Sequence, residues 1–349
     1  MDLTCLKSKA VEWLSGGPEG DVVVSSRVRL ARNVDGYPFM PRASARHKAR
    51  LEELLRNVIL SLDARPPLHY VRLDGLPPLH RELLLERRLI SREHAEADWT
   101  RSVAFDTDEQ VSIMVNEEDH LRLQTIRGGL RLEEVFRRAD GLDDALSARV
   151  PFAFSPKYGY LTACPTNTGT GMRASVMLHL PGIVMAQEMD KVIEVVRQEK
   201  LSLRGVYGEG THGAGDFYQV SNHATLGPTE SQIVRAVGEA ARQLVDLERA
   251  ARLNLGTGHR DELQDRLRRA LHLLRTARMI SSQETLNLLS QVRMGVQMGL
   301  LEAPSVERLN ELLLLTLPAH LQTMEGRLLD SAVRNELRAS YVKKRLAAG

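Results

Sequence analysis

Cysteine is scarce in this sequence, and long apolar runs are absent from it. The two cysteines, Cys5 and Cys164, are too few to build a disulfide framework. The sequence does not open with an apolar run of the kind found in secretory signal peptides. No stretch approaches the ~18 to 20 uninterrupted apolar residues that a membrane helix requires. These absences predict a cytoplasmic protein that has neither a disulfide scaffold nor a membrane span.

A strong net charge is also missing. The 349 residues carry 47 lysines and arginines against 45 aspartates and glutamates, which leaves a formal net charge of +2. No global field then favours nucleic acid or an anionic membrane, so any phosphate recognition must arise locally. A Walker lysine loop is lacking, and the histidines show no metal-ligand spacing. We therefore predict no metal site built from protein side chains.

The chain has two regions with different residue patterns. From Asp21 to about Gly227, short β-patterned runs are broken by glycine, proline and asparagine, whereas the sequence after Pro228 has helical periodicity. The simplest interpretation is a catalytic domain over residues 1–255 and a helical domain over residues 256–349.

The strand candidates follow one another mostly without the long crossovers that a parallel sheet requires. They are residues 22–30, 111–116, 158–163, 172–180, 201–207 and 217–221. Helices are predicted at 46–62, 78–89, 184–198, 229–253, 261–279, 283–298, 306–315 and 333–346. The sequence therefore predicts an α+β fold, with a mostly antiparallel sheet flanked by helices and an appended C-terminal all-α domain.

Five arginines occur in four separated segments of the β-patterned region. They are Arg27, Arg29, Arg122, Arg173 and Arg204. Arg27 and Arg29 should project from one face of their strand, because strand side chains alternate. Guanidinium groups donate paired, charge-assisted hydrogen bonds to phosphate and keep their charge. The pattern indicates a phosphate clamp, although a solvated basic edge strand remains an alternative for the first pair.

Two acidic segments accompany these arginines. Residues 116–120 read Asn-Glu-Glu-Asp-His, and adjacent glutamates on extended backbone point in opposite directions, so we expect only one of them to reach a given pocket. Glu209 stands between two glycines, in a run that could close over a site or could be a plain hairpin loop. Cys164 precedes a proline and a polar loop, and it is either a buried hydrophobe or a functional thiol.

Taken together, four segments resemble the phosphagen (guanidino) kinase family. The matching residues are Ser-Ser-Arg-Val-Arg-Leu from Ser25, Asn-Glu-Glu-Asp-His-Leu-Arg from Asn116, Cys-Pro-Thr-Asn with Gly-Thr-Gly-Met-Arg-Ala-Ser from Cys164, and Arg-Gly-Val-Tyr-Gly-Glu from Arg204. Within that family, the bacterial protein-arginine kinases are the most similar in length and layout. The resemblance implies the guanidino-kinase fold, ATP as a substrate and Mg²⁺ held by the nucleotide.

The resemblance also implies roles for individual residues. Glu118 and Glu209 would grip the substrate guanidinium, and Cys164 would lie beside it. Arg88 stands where the family often has a histidine that contacts nucleotide. The ATP-binding residues implied in this way are Ser25, Ser26, Arg27, Val28, Arg29, Arg88, Arg122, Arg173, Ala174, Ser175, Val176, Met177, Arg204, Gly205, Val206, Tyr207, Gly208 and Glu209.

The implied reaction transfers the γ-phosphoryl group of ATP to arginine residues in proteins. Relatives that act on free arginine or creatine carry a helical domain before the Ser-Ser-Arg motif, which here begins at Ser25. We therefore expect an open site that admits an arginine within a polypeptide. A kinase of free arginine or another small guanidino compound, and an inactive phosphate-binding regulatory module, remain alternatives.

A segment near the C-terminus resembles an Arg-Asp-x-x-Arg-Pro element that binds phosphoarginine as an allosteric signal. Its residues here are Arg334, Asn335, Arg338 and Ala339, so asparagine replaces the aspartate and alanine the proline. A solvated helix face is the alternative interpretation of this segment. The implied partners are protein substrates with exposed arginines, a Clp ATPase and protease, a zinc-containing activator and a second copy of the chain. A stress-response repressor is an implied target, and neither nucleic acid nor a membrane is an expected partner.

Overall fold

A large antiparallel sheet forms the centre of the protein. The structure, a computed structural model, describes residues 3, 6, 10–206 and 213–347. The strands within these ranges are β1 (Val23–Arg32), β2 (Leu68–Arg72), β3 (Ser102–Asp106), β4 (Val111–Val115), β5 (Leu121–Gly128), β6 (Phe154–Ser155), β7 (Gly159–Tyr160), β8 (Met172–His179), β9 (Leu201–Gly205) and β10 (Phe217–Asn222). Eight of them form one sheet in the order β2-β3-β4-β5-β1-β8-β10-β9, while β6 pairs with β7. Every adjacent pair is antiparallel, which confirms the predicted sheet type.

Three strands of the main sheet were not predicted. β2, β3 and β5 are missing from the expected set, and the predicted strand 158–163 contributes only β7, outside the main sheet. The acidic segment forms a tight turn from β4 into β5, in which the Glu117 N–H donates to the carbonyl of Asp119 over 3.1 Å. The turn reverses the chain, so the residues after it pair with β4 as strand β5. Arg122 is therefore a strand residue rather than part of an acidic loop.

Helices surround the sheet and form most of the C-terminal third. Their bounds are α1 (Ala45–Leu60), α2 (Pro78–Glu86), α3 (Arg92–Glu96), α4 (Leu132–Ser147), α5 (Pro181–Met185), α6 (Met189–Gln198), α7 (Glu230–Gly258), α8 (Arg260–Thr276), α9 (Ser282–Gln297), α10 (Val306–Leu315), α11 (Pro318–Glu325) and α12 (Ser331–Ala347). The prediction missed α3, α4 and α11, and it merged α5 with α6. The prediction missed the 16-residue α4 although Leu132, Val135, Ala139 and Leu146 recur at helical spacing, and Gly141 interrupts this pattern.

Helix α7 extends beyond its predicted end. The segment 256–258 was expected to break the helix, yet it is helical, and the chain turns at His259, from which α8 begins. The division into domains at residues 255 and 256 stays a prediction. Within the described residues, no helix has the length and apolar character needed to cross a bilayer.

One face of the sheet is covered by α1, α4 and α7. Alternate strand residues such as Val28, Ala174 and Val220 pack there against Leu55 and Val237 in the main hydrophobic core. Because strand side chains alternate, the neighbours of these residues must project from the opposite face.

The opposite face is covered only in part by the C-terminal helices. Val24, Ile126 and Met177 of the sheet lie in a second core together with Leu289 and Val292 of α9. The rest of this face carries the arginines described below. The C-terminal helices thus decide where on the sheet a polar cleft can lie.

A buried polar network fastens the C-terminal helices to the sheet. Arg293 of α9 is 1% exposed and donates to the carbonyl of Gly20 over 2.8 Å and to the Asn310 side chain over 3.0 Å. It also lies 2.7 Å from Nδ1 of His179, whose Nε2 lies 2.8 Å from the hydroxyl of Ser290. Burial, followed by neighbouring arginine charges, holds the pKa of His179 well below its ordinary value. The imidazole is therefore neutral, and its Nδ1 accepts a hydrogen bond from the Arg293 guanidinium.

Candidate active site

A cavity of about 460 Å³ opens on the second face of the sheet. All five arginines singled out in the sequence line it, together with Ser91, Glu93, Trp99, Glu117, Glu118 and Gln219. The structure thus brings together side chains from β1, β5, β8 and β9 that are far apart in the chain.

Strand register explains how the arginines meet. Arg29 of β1 lies directly opposite Arg173 of β8, and Arg204 of β9 lies opposite Gln219 of β10. Residues that face each other across antiparallel strands project from the same side of the sheet, as do residues two apart on one strand, such as Arg27 and Arg29. Four strands therefore present their guanidinium groups to one cavity.

The arginine cluster is crowded, and four of its five members are half-buried. Burial, followed by the charges of neighbouring arginines, lowers the pKa of Arg27 to about 9 and that of Arg29 well below its ordinary value. The same causes lower the pKa of Arg173. Like charges held in such a place repel one another, and a bound polyanion relieves that repulsion. The cavity is accordingly complementary to a polyphosphate.

Neutral groups hold two of these arginines in place. Arg27 donates to the amide oxygen of Gln219 over 2.6 Å, and Arg173 donates to the hydroxyl of Ser221 over 3.1 Å. These contacts orient the guanidinium groups without neutralising them. Sequence reasoning assigned no role to Gln219 or Ser221. Their shared strand spacing in β10 was the available signal, because residues 219 and 221 must share a face.

Glu117 orients Arg122. Its carboxylate is 3% exposed and accepts from Arg122 over 2.5 Å, from the hydroxyl of Ser91 over 2.6 Å and from the backbone N–H of Glu118 over 2.8 Å. Burial raises the pKa of Glu117, but the opposing effects of Arg122 and these hydrogen bonds outweigh it and lower the pKa overall. Both adjacent glutamates line the cavity, contrary to the expectation that only one would, and Glu117 is the one committed to an ion pair.

Within the described part of the chain, Glu118 forms no ion pair with a lysine, arginine or histidine. Its carboxylate is exposed and accepts from the Asn167 side chain over 3.1 Å. Burial of part of the group, followed by the charges of Asp119 and Glu117, raises its pKa above the ordinary value. A carboxylate with a raised pKa is a better proton acceptor near neutral pH. Glu118 is therefore suited to bind a second, cationic reactant and to take a proton from it.

Asp119 anchors the loop that carries Cys164. It accepts from the side chain of Asn33 over 2.6 Å and from the backbone N–H of Ala163 over 2.7 Å. Cys164 is half-buried, and its Sγ lies 3.0 Å from the hydroxyl of Thr166. The cysteine does not line the cavity, although its loop supplies the asparagine that contacts Glu118. Its proposed place beside the acceptor stays a prediction.

His120 closes the acidic turn from inside the protein. Its Nδ1 accepts from the backbone N–H of Val34 over 2.9 Å, and its Nε2 donates to the carbonyl of Pro38 over 3.1 Å. Burial lowers the pKa of this imidazole to about 4. The residue is thus a neutral structural group rather than a cation next to the carboxylates.

We expect His120 to make the protein acid-sensitive. Between pH 6.5 and about 4 the unfolded chain binds a proton that the folded imidazole does not, so stability is lost as pH falls through this window. At the acid end of this window, His120 lowers the free energy of unfolding by up to roughly 3 kcal/mol. Urea denaturation at several pH values should therefore give a flatter pH dependence for His120→Gln, while the exposed His272→Gln control keeps the parent slope. An unchanged slope for His120→Gln would contradict this origin.

Alternate residues of the predicted nucleotide segments lie on the other face of the sheet. The side chains of Val28, Ala174 and Val176 are in the main core, and Ser26 bonds to the carbonyl of Gly129 over 2.8 Å. Any contact of these four residues with a nucleotide is limited to backbone atoms, because strand alternation directs their side chains away from the cavity. Ser175 lies opposite Arg27, and Ser25 lies opposite Met177, on the face of the arginines.

Arg88 lies next to the arginine cluster without lining the cavity. It adopts a φ of 63° after α2, and its guanidinium carbon lies 4.7 Å from the ring centre of Trp13. It donates to the Met177 sulfur over 3.1 Å, and its charge is among the causes that lower the pKa of Arg27. A nucleotide contact by Arg88 stays a prediction.

The structure describes the segment between β9 and β10 only at its two ends, up to residue 206 and from residue 213. Gly205 ends the strand, and Val206 packs against the second core. Tyr207, Gly208 and Glu209 lie outside the described residues, so their predicted roles are untouched by the geometry. The far end is held by α9, since the N–H of Gly215 donates to the side chain of Asn287 over 2.9 Å.

The four tail residues lie on α12. Arg338 is 1% exposed and donates to the carbonyls of Thr316 and Ile280, over 2.8 and 2.9 Å, and to the side chain of Asn335 over 2.7 Å. Arg334 donates to a backbone carbonyl at position 329, and Ala339 is buried in the second core. Arg338 therefore holds helix ends together, and phosphoarginine binding by this segment stays a prediction.

Comparisons with known proteins agree with this geometry. The family model described as ATP:guanido phosphotransferase, C-terminal catalytic domain, matches residues 50–251, and the model described as protein-arginine kinase McsB C-terminal domain matches residues 260–349. The first match spans more than half of the chain.

Individual relatives extend the likeness over nearly the whole chain. The protein-arginine kinase of Halothermothrix orenii is 44% identical over 337 residues, which cover 96% of each chain. That of Symbiobacterium thermophilum is 44% identical over 342 residues, again with 96% of each chain covered. Among solved structures, lombricine kinase matches with a TM-score of 0.59 and 26% identity over 70% of each chain. The chain belongs to the ATP:guanido phosphotransferase family, in the group that includes the protein-arginine kinases.

Proposed function

We propose that this protein transfers the γ-phosphoryl group of ATP to the guanidinium group of arginine residues in proteins. The observation that carries the proposal is the meeting of five arginines and the carboxylate of Glu118 in one cavity. Such a cavity suits a polyphosphate on one side and a cationic acceptor on the other. Relatives that are 44% identical and named protein-arginine kinase support the choice of acceptor.

The arginines hold and neutralise the nucleotide phosphates. Phosphoryl transfer needs mainly positioning and charge stabilisation, and fixed guanidinium groups supply both. Among the described residues, no cluster of histidine, cysteine, aspartate and glutamate side chains is arranged to hold a metal ion. The residues present thus fit a nucleotide that brings its own Mg²⁺, and that ion would add further charge neutralisation at the phosphates.

Glu118 prepares the acceptor. An arginine guanidinium has a pKa above ~12, so it is cationic at neutral pH and a poor nucleophile. We propose that Glu118 aims one guanidinium nitrogen at the γ-phosphorus and accepts its proton as the P–N bond forms and the bond to the ADP oxygen breaks. Glu209, outside the described residues, is proposed as the second carboxylate at the acceptor, and Cys164 as a group that tunes its placement.

Incubation with ATP and unfolded casein tests the proposal. We expect mass spectrometry to find acid-labile phosphate on casein arginines. Phosphate on free arginine, and none on the protein, would instead indicate a kinase of small guanidino compounds. Binding of ATP without transfer to either acceptor would indicate a regulatory phosphate-binding module.

The resemblance to protein-arginine kinases extends the proposal to the cellular setting. We propose that the mark directs proteins to a Clp ATPase and protease, that a stress-response repressor is one target, and that a zinc-containing activator controls the enzyme. The proposed location is the cytoplasm, and the C-terminal helices are the proposed dimer interface.

A further inference from the structure

A group of exposed apolar side chains surrounds an open cavity of about 650 Å³ outside the arginine site. Phe154 and Tyr158 belong to the β6–β7 hairpin and Leu226 to the loop after β10; their exposed fractions are 57, 45 and 55%. Aromatic residues make up only 4% of the chain, yet four of them fall within residues 152–160. Clustered apolar exposure of this kind marks an interaction site more often than scattered exposure does. We call these three residues the hairpin patch.

The hairpin patch rests on a rigid base. Tyr160 lies beneath it, with its ring 5.3 Å from that of Phe154 in an edge-on arrangement. The guanidinium carbon of Arg32 lies 3.5 Å from the centre of the Tyr160 ring, and Arg32 is itself fixed by an ion pair with Asp143 at 2.8 Å. A surface that is already ordered loses little conformational freedom when it binds a partner.

Hydrogen bonds and a short stretch of chain join this base to Glu118. The Tyr160 N–H donates to the carbonyl of Gly169 over 2.8 Å, and the hydroxyl of Thr225 donates to the carbonyl of Thr168 over 2.7 Å. Two residues before Gly169, the side chain at position 167 contacts the Glu118 carboxylate over 3.1 Å. The hairpin, the loop 163–170 and the loop after β10 therefore form one block, with Glu118 at its edge.

Gly169 shows how closely these loops pack. Its φ is +116°, and a Cβ atom there would stand 2.2 Å from the carbonyl oxygen of Thr225. Only glycine permits this approach, so the packing of the loop 163–170 against the loop after β10 is set by the backbone.

The length of chain between the hairpin patch and Glu118 limits how far apart they can lie. Residues 167 to 169 span at most about 7 Å of extended chain. With side-chain lengths added at both ends, the patch stands on the order of 20 Å or less from the Glu118 carboxylate, which is the length of about six extended residues.

We propose that the hairpin patch binds an apolar side chain of the substrate polypeptide, within about six residues of the arginine that is phosphorylated. The inference rests on the proposed function and specifies its substrate: an extended, unfolded segment in which a leucine-like side chain lies near the arginine. Folded proteins bury most of their apolar side chains, so an unfolded segment offers both groups together more often. The hairpin patch is continuous with the loop 163–170 that contacts Glu118, which favours this occupant over a second copy of the chain.

Two peptides test the inference. Each contains one arginine in a serine–glycine background; one has leucine four residues to either side of the arginine, and the other has serine there. We expect the parent protein to phosphorylate the leucine peptide with a kcat/KM about tenfold higher. In the Phe154→Ser/Leu226→Ser variant both peptides should react at the rate of the serine peptide. A Leu273→Ser variant, which changes a similarly exposed leucine on α8, should keep the tenfold preference.

The other outcomes separate the inference from the function beneath it. Equal rates for the two peptides with the parent protein, or an undiminished preference in the double variant, would overturn the inference and leave the kinase function standing. Equal loss of activity on both peptides would show that the patch is needed for folding of the loop 163–170 that contacts Glu118. That result would also overturn the inference. Sedimentation that shows a dimer dissociating in the variant, with the preference intact, would assign the patch to self-association. Failure of the parent protein to phosphorylate either peptide or casein would refute the function itself.

Discussion

Replacement of Glu118 by glutamine should abolish phosphoryl transfer while ATP still binds. The amide keeps the shape of the side chain and its contact with Asn167, but it cannot accept the proton that the acceptor guanidinium must lose. We expect kcat to fall by about 10³-fold, the range typical of a missing general base. The dissociation constant for ATP, measured by isothermal titration calorimetry, should change by less than about threefold, because the arginines that hold the phosphates are intact.

Glu93→Gln is the matched control for this experiment. Glu93 is an exposed carboxylate that lines the same cavity, so its loss changes the local charge by the same amount. We expect its turnover to stay within about threefold of the parent. Near-normal turnover in Glu118→Gln, or an equal loss in both variants, would remove Glu118 from the role of proton acceptor.

Removal of the Arg122 guanidinium should damage both nucleotide binding and stability. In Arg122→Met the carboxylate of Glu117 stays buried without its cation, which costs about 3 kcal/mol of folding free energy. The loss of one charge-assisted contact to phosphate should raise the dissociation constant for ATP about 100-fold. Urea denaturation and calorimetric titration measure the two effects independently.

The Glu117→Gln/Arg122→Met double variant separates these effects. It removes both charges, so we expect most of the lost stability to return while ATP binding stays weak. Recovery of ATP affinity in the double variant would show that Arg122 serves only to neutralise Glu117. No recovery of stability would show that the ion pair contributes little to folding, even though the carboxylate is buried.

Charge and spacing were visible in the sequence, and so the meeting of the arginines in one cavity could be predicted. The five arginines, the two-residue spacing of Arg27 and Arg29 and the acidic turn all followed from residue types and strand alternation. The division of labour between Glu117 and Glu118 could not be predicted. Adjacent glutamates look alike in the sequence, and only the position of Arg122 on β5 makes one of them an ion-pair partner.

The predicted sheet was incomplete for a similar reason. β5 follows an acidic turn with no glycine or proline to announce it, and α4 lacks a capping side chain and contains Gly141. Both elements thus lack the boundary residues that mark an element in a sequence. Their structure depends on packing against β1, a contact between segments about 100 residues apart.

The amino-acid sequence was sufficient for the antiparallel sheet class, the helical C-terminal third and the residue types of the proposed phosphate and guanidinium site, because these depend on local periodicity and on residue type. The tertiary structure alone decided which face of the sheet stays open, how register brings arginines from four strands into one cavity, and how the hairpin patch is joined to Glu118. These features depend on contacts between distant segments, and the free energy of such contacts leaves no local pattern in the chain.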